Sequence, residues 1–175
     1  MERKENLKIR LAAQSDFSWI LSLYAGATRK MRDEGIDQWD ERYPDREILL
    51  QDVERGEMLL LTMDGKPVSA VVLNAEQSPE YKAVEWHIGR VDPPGVIHRL
   101  CVGAQAQGKG LGKRTLEAAE RRAYSLGYRT IRLDTFTKNP AAVKLYESAG
   151  YSRAGNVTFC KGTFICFEKL LDGET

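Results

Sequence analysis

The residues best suited to chemistry lie between Val96 and Leu126. Val96-Ile97-His98-Arg99-Leu100-Cys101-Val102 reads as an apolar strand, and Gln107-Gly108-Lys109-Gly110-Leu111-Gly112 as a turn running into an amphipathic helix. Three glycines at alternate positions leave few side chains between backbone and ligand. Several backbone N–H groups can then converge on one anion at the positive end of a helix dipole. That pattern suits a phosphate or pyrophosphate. Two familiar phosphate loops do not fit. Gly103 to Lys109 has P-loop spacing, but Gly110 stands where that motif needs a hydroxyl to hold magnesium. The Gly-x-Gly-x-Gly spacing is also not the Gly-x-Gly-x-x-Gly of dinucleotide folds. By itself the turn is equally compatible with a plain strand-to-helix connection.

A second landmark decides between these. Gln107-x-x-Gly110-x-Gly112, entered from a Leu-x-Val strand and followed by a long helix, resembles the acetyl-CoA-binding motif of the GNAT superfamily of acyl-CoA-dependent N-acyltransferases. Asn139-Pro140-Ala141-Ala142-Val143-Lys144-Leu145-Tyr146-Glu147-Ser148-Ala149-Gly150-Tyr151 is similar to that family's C-terminal signature, in which an asparagine opens a helix that carries a tyrosine. The resemblance spans about Leu7 to Leu170 and is strongest from Val96 to Tyr151. It implies that the strand holding Leu100 and the strand holding Asp134 splay apart to admit the pantetheine arm. Backbone groups of Leu100 and Val102 would then pair with the arm's amides. It also implies that Gln107, Gly108, Lys109, Gly110, Leu111, Gly112 and Asn139 contact the cofactor. Gln107 departs from the arginine often found there, which removes a charge and keeps the backbone loop. Asn139 is explained equally well as a helix cap before Pro140, and both roles can coexist.

The expected reaction is acetyl transfer from acetyl-CoA to a primary amine, by direct attack in a ternary complex. A free alkylamine has a pKa of about 10.4, so it must shed a proton before attack. The leaving thiolate is the conjugate base of a thiol near pKa ~8.5 and needs only modest help. Tyr146 stands where the family's tyrosine acid does; the alternative is an amphipathic core residue. For the base, His98 on the cleft strand is the first candidate and Glu85 the second, with His87 weaker. Alternation along a strand from Ala83 to Ile88 would put Glu85 and His87 on one face and Trp86 on the other. No pattern supplies a nucleophile, base and orienting acid together. For the acceptor, the connection Gly35-Ile36-Asp37-Gln38-Trp39-Asp40-Glu41-Arg42-Tyr43-Pro44 is rich in aromatics and charge. Its Gln38-Trp39 and Tyr43-Pro44 pairs resemble a bacterial GNAT subgroup. Trp39, Tyr43 and Trp86 are the expected substrate contacts, with Trp39 alternatively a plug over the core. The rival readings are transfer of another acyl group, a protein amine as acceptor, an acyl-CoA sensor without turnover, and a P-loop nucleotidase.

The elements that must position these residues follow from periodicity. Leu7–Ala12 alternates as a strand, and Ser15 is expected to cap a helix from Asp16 that ends near Gly35. Asp45 caps a shorter helix that stops at Gly56. Met58–Met63 and Pro67–Asn74 form a hairpin through Asp64-Gly65-Lys66, and their continuous apolar runs suggest burial on both faces. Leu111, Thr115, Ala119, Ala123 and Leu126 give the next helix its buried stripe. Thr130–Asp134 is a strand, Pro140–Ala149 a helix, and Tyr151–Thr158 with Thr163–Leu170 a terminal hairpin. The expectation is one α/β (α+β) domain over residues 1–175, with a mixed, mostly antiparallel sheet flanked by helices.

Composition agrees. A chain of 175 residues suits one domain, and a formal net charge of +1 shows no basic excess of the kind that marks a nucleic-acid binder. No apolar run approaches a membrane span. The charged Met1–Glu5 stretch is followed by no apolar signal region, so a cytoplasmic protein is expected. Three cysteines without metal-site spacing point to reduced thiols and no metal. A homodimer through the terminal hairpin is a further expectation.

Overall fold

The computed structural model describes residues 6–88 and 93–173. In chain order the elements are β1 (Leu7–Leu11), α1 (Phe17–Asp33), α2 (Arg46–Glu54), β2 (Met58–Met63), β3 (Lys66–Asn74), β4 (Gly95–Val102), α3 (Leu111–Ser125), β5 (Thr130–Phe136), α4 (Pro140–Ser148), β6 (Ser152–Phe159) and β7 (Gly162–Leu170). The strands form one sheet in the order β1-β2-β3-β4-β5-β7-β6. Every neighbouring pair is antiparallel except β4–β5.

The continuous apolar runs are buried on both faces, as their sequence suggests. Met58, Leu60, Ala70 and Val72 pack under Ile20, Leu23 and Tyr24 of α1 and Leu49 and Val53 of α2. The intervening Leu59, Val71 and Leu73 face the other way, onto Leu116, Ala119 and Ala123 of α3. Side chains alternate across a strand, so a run with no polar member needs helices above and below. Asp45 caps α2 by accepting the Ile48 N–H at 2.9 Å. Asn139 does the same for α4, accepting the Ala142 N–H at 3.2 Å with Pro140 in the first turn.

Two features of β4 shape the centre. It pairs with β5 only at Gly95–Ile131 and Val96–Arg132, after which the two strands part. It also carries a bulge against β3, advancing from His98 to Cys101 while β3 advances from Val72 to Ala70. Arg99 occupies the bulge with φ of 52°, a left-handed conformation that a long side chain adopts only when its surroundings hold it there. Three contacts do so. The Tyr24 hydroxyl donates to the Arg99 carbonyl at 2.5 Å, the guanidinium grips the Asp52 carboxylate through Nε and Nη2 at 2.9 and 2.6 Å, and Nη1 donates to the Tyr43 hydroxyl at 2.9 Å.

Several expectations are corrected. Ala83–Ile88 is not a strand. A 3₁₀ turn covers Pro79–Ala83, and the backbone N–H groups of His87 and Ile88 donate to the Glu168 carboxylate instead of to a sheet ladder. The alternation argument for Glu85, Trp86 and His87 therefore lapses. Ser15 does not cap α1, which begins at Phe17. Asp16 organises that entry, accepting the Ala13 N–H at 2.8 Å and pairing with Arg10. Leu126 lies beyond the last turn of α3 and is exposed. Met1–Glu5 lie outside the described residues. No helix among the described residues is long and apolar enough to cross a membrane.

The Arg99–Asp52 pair is almost fully buried, with side-chain exposures of 9% and 7%. Removing one partner strands the other charge, which costs about 3–5 kcal/mol. Arg99→Met should lose that much stability in urea denaturation. The double variant Arg99→Met/Asp52→Leu should regain most of it, because it leaves no lone buried charge.

Candidate active site

Where β4 and β5 part, a cleft of about 1340 Å³ opens, walled by α1, the 34–43 connection, β4, the glycine turn, β5 and α4. Its two ends differ in chemistry. At one end, Gly108 and Gly110 have φ of 78° and 71°, in the region that glycine alone enters without steric cost. Gly110 is the N-cap of α3 and no side chain caps that helix. The first-turn N–H groups of Leu111, Gly112 and Lys113 therefore have no intrahelical acceptor and face the cleft mouth. At Gly112 a Cβ would meet Leu145 Cδ2 at 3.4 Å and Val102 Cγ2 at 3.7 Å, ordinary van der Waals contacts, so packing alone does not demand a glycine there. Gln107 donates through Nε2 to the Val102 carbonyl at 3.2 Å and accepts from Lys30 Nζ, tying the turn to β4 and α1.

Of the residues expected at the cofactor, Leu100, Val102, Gln107, Gly108, Gly110, Leu111, Gly112 and Asn139 line this cleft. Lys109 does not; its side chain is exposed outside the lining, and Lys30, Lys113 and Lys144 are lysines that line the cleft. Asn139 has a second contact that its capping role does not require. Its Nδ2 donates to Gln38 Oε1 at 2.8 Å, joining α4 to the 34–43 connection.

Tyr146 lines the cleft from α4 while its ring packs on Tyr151 and Phe167, with centroids at 6.0 and 5.8 Å. Burial, reinforced by the charge of Asp134, pushes its phenol pKa well up, so the hydroxyl stays protonated. Among the described residues nothing hydrogen-bonds that hydroxyl, which leaves it free to donate into the cleft.

The base candidates separate clearly. His98 lines the cleft, but its Nε2 lies 2.9 Å from Asn74 Oδ1, and burial followed by the charge of Arg99 depresses its pKa to about 4. It is neutral near pH 7 and a weak proton acceptor. Glu85 is exposed in the irregular segment and does not line the cleft. His87 is likewise exposed, 3.3 Å from Glu168. Trp86 lies outside the cleft too, beside Tyr81 and under the Arg132 guanidinium at 4.1 Å, in a separate shallow depression. The other two residues expected at the acceptor, Tyr43 and Trp39, both line the cleft. Tyr43 lines the cleft with its hydroxyl on Arg99. Trp39 also lines it, yet only 7% of it is exposed and it packs on Tyr24 at 5.5 Å, so it is wall and plug at once. Cys101 lines the cleft, but burial drives its thiol up to about 12, which rules it out as a thiolate nucleophile near neutrality.

Asp134 and Tyr81 are absent from the sequence-based site. Both line the cleft, and the Tyr81 hydroxyl donates to Asp134 Oδ2 at 2.6 Å. A signal for Asp134 was available, since an aspartate between Leu133 and Phe136 is out of place in a central strand.

Comparison with known proteins places this geometry. The profile of the family described as Acetyltransferase (GNAT) family matches residues 20–151. The chain is similar to the uncharacterized N-acetyltransferase YesJ of Bacillus subtilis, with 27% identity over 146 residues, 82% of this chain and 81% of that protein. It is similar also to the S-(2-succino)cysteine N-acetyltransferase of the same organism, with 24% identity over 93% of this chain and 94% of that one. Among solved structures, a GNAT acetyltransferase from Streptococcus agalactiae superposes with a TM-score of 0.83 at 23% identity, over 95% of this chain and 96% of that one. The yncA structure from Salmonella typhimurium with its cofactor acetyl-CoA superposes at 0.69 and 19% identity, over 97% and 96%.

The sequence has only two histidines, so the depression at His98 is directly observable. In an NMR titration its imidazole should titrate near pH 4, far below the ordinary value of about 6.5. Because the unfolded imidazole binds a proton that the folded one refuses, stability should fall as pH drops from about 6.5 towards 4. His98→Gln should flatten that fall in pH-dependent urea denaturation.

Proposed function

Because the chain belongs to the acetyltransferase (GNAT) family, we propose that it is a cytoplasmic N-acetyltransferase that moves an acetyl group from acetyl-CoA to a primary amine by direct attack in a ternary complex. One observation carries the cofactor assignment. The Gly108–Gly112 bend presents uncapped backbone N–H groups of α3 at the mouth of a cleft whose other end holds a buried phenol. Aligned N–H groups at a helix N-terminus hold a diphosphate well, and Lys113 and Lys144 add positive charge beside them. The edge of β4 beyond Val96 has no strand partner towards β5, so the amides of the pantetheine arm can take that place at Leu100 and Val102. The bound cofactor supplies a thioester carbonyl activated for acyl transfer.

The protein's share of the chemistry is positional and protonic. Holding amine and thioester together removes most of the entropic cost of their encounter. Tyr146 donates its hydroxyl to the sulfur as the C–S bond breaks, and burial keeps that proton on the phenol until then. The buried Cys101 thiol is too weak an acid to serve as an acyl carrier; the other thiol on the lining, Cys160, is exposed in the turn between β6 and β7. His98 serves as a fixed neutral wall on Asn74. A homodimer through the β6–β7 hairpin belongs to this proposal, β6 being an edge strand of the sheet.

Acetyl-CoA should raise the melting temperature in a thermal-shift assay and ATP should not. Gly110→Val should abolish most of that shift, because a β-branched residue resists φ of 71°; an undiminished shift would exclude the loop as the diphosphate site. Tyr146→Phe should lower kcat by about 10²-fold while leaving the acetyl-CoA melting shift intact. Thiol release measured across an amine panel reads this, and an unchanged kcat would remove the proton-donor role.

A further inference from the structure

Charge at the acceptor end of the cleft is unbalanced in one place. Four acids line the cleft: Glu34, Asp37, Asp40 and Asp134. Glu34 pairs with Lys30, and Asp37 and Asp40 both pair with Lys161 at 2.8 and 2.7 Å. Asp134 has no cationic partner among the described residues; its contact is the Tyr81 hydroxyl. It stands on β5 two residues past Arg132, where pairing with β4 ends, and directly opposite the buried thiol of Cys166 on β7. An unpaired carboxylate in such a place is costly unless something brings a positive charge to it. Burial raises the carboxyl pKa, and the hydrogen bond from Tyr81 opposes that rise. Asp134 is also close enough to Tyr146 to perturb its phenol.

The cations are equally informative. Arg99 is the buried one at this end, and both its faces are engaged, by Asp52 and by Tyr43. Lys161 is held by two aspartates, and Arg42 is exposed at the rim. Among the described residues no cation is left in the buried part to receive an acceptor's carboxylate. The walls are apolar, formed by Ile36, Trp39, Phe159 and Phe164 with the rings of Tyr43 and Tyr81.

Resting on the acetyltransferase reading above, we infer that Asp134 docks the acceptor's ammonium and takes its proton, and that the acceptor is a primary amine with an apolar body and no carboxylate beside its nitrogen. An N–H bond of the ammonium breaks and the proton passes to Asp134. The freed lone pair forms the C–N bond at the thioester carbonyl. As the C–S bond breaks, the sulfur takes the proton of Tyr146, which the phenol recovers from the nitrogen of the adduct. Asp134 then returns its proton to water, so the products are amide, free thiol and one released proton.

The test compares matched amines that differ by one carboxylate, 2-phenylethylamine against phenylalanine and hexylamine against norleucine, in a thiol-release assay with acetyl-CoA. The carboxylate-free member of each pair should have at least about 10²-fold higher kcat/KM. Asp134→Asn preserves shape and hydrogen bonding to Tyr81. It should lower kcat/KM for those amines by at least about 10²-fold and leave the acetyl-CoA melting shift unchanged. The inference is overturned if phenylalanine or norleucine is turned over as well as its partner, if Asp134→Asn retains activity, or if acetyl-CoA binds and no carboxylate-free amine reacts. Absence of any acetyl-CoA shift in the wild-type protein would instead remove the acetyltransferase reading. Should Asp134→Asn fail to fold, the matched pairs on the wild-type protein still decide the substrate class.

Discussion

The ion pair between Arg99 and Asp52 sets the shape of everything around it. It fastens a bulge in the middle of β4, at a residue whose backbone would otherwise avoid the left-handed region. A bulge bends and twists its strand, and β4 departs from β5 within a few residues of this one. The cleft exists because a central pair of a seven-stranded sheet has come apart. A sheet does not open at its centre without a force holding the strand out of line. Here that force comes from α1 through the Tyr24 hydroxyl, from α2 through Asp52, and from the preceding connection through Tyr43. Charge burial is an expensive means of support in general. In this position it holds the bulge beside the point where the two strands part.

The opened edge gives the cleft two chemically distinct halves. The half beneath α3 offers backbone N–H groups and lysines, and the half beneath the 34–43 connection offers aromatic rings and an acid, Asp134, with no cationic partner among the described residues. Neither half uses a mobile nucleophile. The Cys101 thiol and the His98 imidazole on the cleft wall are both held in neutral forms, one by burial and the other by burial and a neighbouring guanidinium. The Tyr146 phenol and the Asp134 carboxylate line the same space.

Local rules explain which parts of this were legible in the sequence. Helix caps at Asp45 and Asn139, the hairpin at Asp64-Gly65 and the two-sided runs of β2 and β3 depend on neighbours within a few residues, and each has its expected form. The glycine turn was legible for the same reason, being short and stereochemically demanding. Long-range contacts were not. Nothing near Ala83–Ile88 announces that its amides belong to Glu168, some 80 residues later, so apolar alternation there suggested a strand. Arg99 reads as an ordinary strand residue until Asp52 is known to lie beside it. His98 has the chemistry of a base by type, and only its burial against Asn74 takes that away. Asp134 was visible as an anomaly in an apolar strand, but its isolation from cations is a property of the assembled cleft.

The bond between Asn139 and Gln38 carries a mechanical consequence. One amide side chain caps α4 with its oxygen and ties down the opposite wall with its nitrogen. Any outward swing of that wall pulls on the first turn of the helix that bears Tyr146. The 34–43 wall of the cleft and the start of the helix that bears Tyr146 are thus fastened together at one point.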